Sequence, residues 1–132
     1  MSLSPDLIDL PEVHAELTAL FGSYESALMG NDVDALCNYF WKDPRLTRYG
    51  IADRQLGMDE MRAFRIATPA PTFTRSLHNL RIHCFGSDMA VAQLEFQRSD
   101  TALRGFQSQT WVRMPGGWKI VSAHVSMIDF NG

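Results

Sequence analysis

The side chains best placed to do chemistry in this chain are arginines, a tyrosine, strand amides and one strand histidine. Phe40 to Asp53, FWKDPRLTRYGIAD, sets Arg48 inside Leu46 to Ile51, a run that reads as a strand. A half-buried strand normally carries a small or apolar side chain there, so a guanidinium between Thr47 and Tyr49 is out of place. Two readings stand. Arg48 is a solvated surface charge, or it is a fork of donors aimed into a pocket to hold a carboxylate bidentately, as lysine cannot. Arg45, beside the run, reads as solvent-exposed. Arg65 and Arg75 are further candidates for an anion site, each read by itself as a solvated charge.

Three segments near the C-terminus place polar residues where a sheet should bury something. GFQSQTW puts Gln107, Gln109 and Trp111 on one face, SAHVS puts Ser122, His124 and Ser126 together, and QLEF aligns Glu95 with Gln93 and Gln97. Such rows can simply face solvent, as half of an antiparallel sheet does. Here they are mostly amides, hydroxyls, a histidine and an aromatic, and the opposite rows contain Ser108, Thr110 and Ala123. A polar-lined cavity is therefore the competing reading. His124 reads equally as a packing residue or as a site residue. Tyr24 falls on the apolar face of a helix; it is either a core tyrosine or a phenol at the pocket wall, donating to a carbonyl or a leaving nitrogen.

Other chemistries lack their residues. The serines beside His124 have neither a carboxylate at a telling spacing nor a GxSxG turn. His14, His78, His83 and His124 are scattered, Cys37 and Cys84 form no ligand pair, and no phosphate loop or dinucleotide fingerprint is present, so no metal or cofactor is expected.

Helices come first in the elements that carry these residues. Val13, Leu17, Leu20, Phe21, Tyr24 and Leu28 recur at three- and four-residue steps, predicting a helix from Pro11 to Gly30. Asp32 caps a second, shorter helix ended by Asp43-Pro44. Asp53 to Gly57 forms a turn and a second short pairing after the Arg48 strand, and a third helix runs from Met58 to Ala67. From Thr72 the period becomes two. Strands are expected over 72–85, 89–98, 103–114 and 118–128, joined by turns at Gly86-Ser87-Asp88, Ser99 to Thr101 and Pro115-Gly116-Gly117. Helices followed by long antiparallel strands predict an α+β fold, with the helices covering a curved sheet.

The 132 residues fit a single domain over 1–132, with 45% hydrophobic and 20% charged residues. A formal net charge of -3 gives no footprint for nucleic acid or an anionic membrane. No signal-like segment, membrane-length run or disulfide framework is evident, so a cytoplasmic location is expected.

SYESALMGNDVDALCNYFW, DPRLTRYGIAD, GMDEMRAFR and RGFQSQTWVRMPGGWKIVSAHVS together resemble the AtzH-like family. That family lies within the nuclear transport factor 2-like, or SnoaL-like, superfamily. The resemblance implies a cone-shaped barrel, a homodimer and a functional link to amidase-signature hydrolases in bacterial breakdown of nitrogen-rich compounds. It also implies amide hydrolysis on a small carboxylated urea, with Tyr24 and Arg48 as the essential residues. On this expectation Arg48 clamps a substrate carboxylate and Tyr24 polarises the carbonyl or protonates the departing nitrogen. Gln107, Gln109, His124 and Ser126 would orient substrate or water, Glu95 would assist as base, and Phe40, Trp41, Phe64 and Trp111 would wall the pocket. The family follows the FR of the third helix with another arginine, whereas FRIATPAPT has none before Arg75, so the resemblance leaves substrate preference open. A non-catalytic accessory protein for a partner amidase is the alternative.

Overall fold

Apolar residues on one stripe decide how the helices dock. The computed structural model describes residues 2–131. Helix α1 spans Pro11–Met29 and buries Val13, Leu17, Phe21, Tyr24 and Ala27, with Gly30 as its C-cap. Proline suits the first turn because its missing N–H would have no helical partner there. The Asp32 carboxylate accepts from Ala35 N at 3.1 Å and caps α2, Val33–Asn38. Two three-residue strands follow, β1 (Thr47–Tyr49) and β2 (Arg54–Leu56), then α3 (Met58–Ala67). Four long strands complete the chain: β3 (Arg75–Phe85), β4 (Met89–Arg98), β5 (Arg104–Met114) and β6 (Gly117–Ile128).

One six-stranded sheet has the order β2-β1-β6-β5-β4-β3. The expected α+β class and curved sheet are present, with the helices on the inner face. The long strands pair antiparallel as neighbours, as their short turns require. The pairing of β1 with β6 is parallel and was not legible in the sequence, since it joins segments far apart in the chain. β3 begins at Arg75, so Thr72 to Thr74 precede the strand rather than start it. Ile8 bridges Phe85, and the Asp9 carboxylate accepts from Cys84 N at 2.7 Å, so the N-terminal lead-in is tied to the end of β3. Among the described residues no helix is long and apolar enough to cross a membrane.

Register explains which side chains face inward. Partners in an antiparallel ladder point to the same side. Gln107 pairs with Leu94 and with Val125, Gln109 with Ala92 and Ala123, and all of these point to the helices. Glu95 pairs with Phe106, which pairs with Ser126; His124 pairs with Ser108, which pairs with Gln93. The polar row of β5 is thus internal, while those of β4 and β6 are external. A bulge between Thr110 and Trp111 lets Trp118 and Ile120, then Ala123, all stay buried on β6 despite the broken period.

Candidate functional site

A cavity of about 400 Å³ opens between α1, α3 and the inner face of the sheet. Tyr24, Arg48, Phe64, Arg65 and Arg75 all border it. Tyr24 is 4% exposed, and its ring meets Tyr39, Phe40 and Trp111 edge-on at centroid distances of 6.0, 6.1 and 6.5 Å. Those contacts hold the ring, and Tyr24 borders the cavity. Among the described residues that hydroxyl has no hydrogen-bond partner, unusual for a tyrosine so well buried.

Arg48 reaches the cavity because β1 presents it on the same side as Ala123, its partner on β6. It is 8% exposed. Its Nη1 donates to Asp53 Oδ1 and to Gln55 Oε1, both at 2.8 Å, and Gln55 Nε2 donates to the same Asp53 oxygen at 2.9 Å. The solvated reading is therefore excluded for Arg48. It holds for Arg45, whose exposed guanidinium pairs with Asp43 and covers Trp41 at 4.8 Å.

Arg65 and Arg75 depart from the solvated reading given to each. Arg75 donates through Nη2 to Gln107 Oε1 at 3.0 Å and to Glu25 Oε1 at 3.1 Å, and it lies 4.2 Å over the Phe96 ring. Burial raises the Glu25 carboxyl above its ordinary range, against the pull of Arg75. Burial also pulls the Arg65 guanidinium below the usual arginine range; the Arg48 charge adds to this while Tyr24 opposes it. Phe64 lies close to both, its ring centre 5.0 Å from the Arg48 guanidinium carbon and 5.3 Å from that of Arg65.

The remaining candidates lie elsewhere. Phe40 and Trp111 are fully buried beneath Tyr24 and pack the core instead of walling the cavity, and Trp41 sits outside it. Gln107 and Gln109 face inward but are taken by Arg75 and by the Trp111 indole, which donates to Gln109 Oε1 at 3.1 Å. Glu95, His124 and Ser126 border an open groove on the opposite face, where Asn79 Nδ2 donates to Glu95 at 3.0 Å and His124 meets Tyr49 edge-on. Period two separates the two faces of each strand, but only the register tells which rows share one. Asp53, Gln55 and Glu25 were missed as partners of the site arginines. For Gln55 a signal existed: a hairpin over TRYGIADRQL sets it opposite Arg48. Among the described residues no group of three or more histidines, cysteines and carboxylates gathers to hold a metal.

The AtzH-like profile matches residues 6–131. The chain belongs to the AtzH-like family. A crystal structure of a protein of unknown function of the DUF3225 family from Pectobacterium atrosepticum is similar, at 46% identity, with a TM-score of 0.94 over 97% of this chain and 100% of that one. A cystatin-like fold protein from Burkholderia xenovorans is 40% identical, with a TM-score of 0.91 over 98% and 99%. A nuclear transport factor 2-like superfamily protein from Salmonella enterica is 25% identical, with a TM-score of 0.73 over 92% and 94%. No curated protein matches the chain. Family membership thus establishes the cone-type fold, and the chemistry has to be argued from the cavity.

Proposed function

We propose that this AtzH-like chain binds a small carboxylated urea or related amide in the cavity and hydrolyses it. The observation that carries the reading is that Tyr24, whose hydroxyl has no partner among the described residues, and Arg48 border one cavity. Arg48, held in place by Asp53 and Gln55, presents its remaining donors to a ligand carboxylate. Tyr24 donates to the carbonyl oxygen or to the departing nitrogen. In the reaction a water oxygen ends on the carbonyl carbon, the C–N bond breaks and the nitrogen leaves as ammonia. Asp53 and Asp100 also border the cavity, and Asp53 Oδ2 stands free of the bonds that engage Oδ1. Asp53 is therefore a better-placed proton acceptor for that water than Glu95, which lies on the other face.

A binding-only role, sequestering a ligand for a partner amidase, is the second reading. It is favoured by one observation: Asp53 and Asp100 are each already engaged by an arginine. Turnover separates the two. Purified protein should release ammonia from a carboxylated urea above the spontaneous rate, and Tyr24→Phe should lower that rate by about 100-fold or more with affinity little changed. Binding without ammonia release would leave only the accessory reading. Family resemblance also supports a cytoplasmic homodimer, for which light scattering should give twice the chain mass.

A further inference from the structure

The charges around the cavity are matched in pairs, with one exception. Arg48 has Asp53 at 2.8 Å, Arg75 has Glu25 at 2.9 Å and Arg98 has Asp100 at 2.6 Å. Arg65, 7% exposed and bordering the same space, has no carboxylate partner among the described residues, and its Nε is buried without any hydrogen bond. A buried guanidinium keeps its proton, so the charge is present and uncompensated. The Phe64 ring offsets it only weakly and lies equally close to Arg48. An arginine in the last turn of a helix suits the helix dipole, but a solvated side chain would serve that purpose as well. Thr68 already takes the Phe64 carbonyl there, through Oγ1 at 2.6 Å.

We propose that Arg65 is the residue that makes the cavity select an anionic ligand, its uncompensated charge setting the preference for a carboxylate while Arg48, neutralised by Asp53, supplies direction. This rests on the proposed binding of a carboxylated urea or amide and adds a determinant to it. With the ligand carboxylate seated, the cavity's formal charges balance, and the orphaned donors of Arg65 gain acceptors. Without it, only one of the two guanidinium groups beside Phe64 has a carboxylate, Asp53 on Arg48.

The test compares N-carbamoylglycine with its uncharged amide, N-carbamoylglycinamide, by calorimetric titration and thermal shift. Wild type should prefer the acid. Arg65→Met and Arg65→Gln should each lose roughly tenfold to hundredfold of that preference. Unliganded Arg65→Met should melt at the wild-type temperature or above, because removing an unpaired buried charge relieves a desolvation cost. Arg65→Lys should retain part of the preference. Should either neutral variant fold and keep the full preference for the acid, the inference is overturned while carboxylate binding stands. If wild type itself fails to prefer the acid, the carboxylated-ligand reading falls as well.

Discussion

Tyr24 and Arg48 differ in what their polar atoms do in the resting protein, and the difference sets what mutation should show. The Tyr24 hydroxyl holds nothing in place among the described residues, so Tyr24→Phe should leave the melting temperature within about 2 °C of wild type. Arg48 is the hub of a three-residue network with Asp53 and Gln55, so Arg48→Ala should both weaken binding and destabilise, by about 1–3 kcal/mol, because Asp53 and buried Gln55 lose their donor. Two carboxyls predict the acid behaviour with opposite signs. Asp9 is held below its ordinary 3.8, first by the His83 hydrogen bond and then by Cys84 N–H. Its stabilisation is present above that value and is lost as pH falls through the lowered one. Glu25 is raised above 4.5 by burial, so the folded state binds its proton more tightly than the unfolded chain does. That contribution is full below 4.5 and fades as pH rises through the raised value. Melting curves against pH should show Asp9→Asn flattening the acid limb and Glu25→Gln removing the decline above pH 4.5. Of these residues Tyr24 and Arg48 were legible in the sequence, one by helical spacing and one by a charge in a strand. Glu25 and Asp53 were not, because carboxylates on a polar helix face or in a turn are what solvent exposure also produces.

At the scale of elements, two glycines leave room for side chains that border the cavity. A Cβ on Gly50 would overlap the Asp53 carboxylate, so Gly50→Ala should push Asp53 off Arg48. The fold should survive, since β1 and β2 keep their backbone pairing, while ligand affinity drops about tenfold. On the sheet, a Cβ on Gly105 would run into the Phe96 ring, which lies beneath Arg75. Gly105→Ala should cost about 1–3 kcal/mol by denaturant titration, with Phe96→Leu in the same chain recovering part of it. Full destabilisation persisting in the double variant would mean the clash is not with that ring. Helices α1 and α3 and the four long strands were readable to within a few residues, because their periodicities are sustained over several turns or pleats, whereas α2 ends at Asn38, short of the Asp43-Pro44 stop. The side toward which each polar row points was not, since a one-residue change of register exchanges the faces.

The whole molecule is a sheet with two different polar surfaces. The inner one is small, arginine-rich and lies against α1 and α3; the outer one is the open groove of Glu95, His124 and Ser126. Sequence pattern merged them into one site, and the fold separates them. Family and fold were legible because the resemblance runs along almost the full chain. The candidate site was legible in part, through the helical spacing of Tyr24 and through Arg48, which contradicts its element. A crystal structure with N-carbamoylglycine tests the separation directly. Ligand density is expected between Tyr24 Oη, Arg48 and Arg65, with the carboxylate against the guanidinium groups; density confined to the outer groove beside Glu95 and His124, with the inner cavity unchanged, would rule out the inner cavity as the binding site.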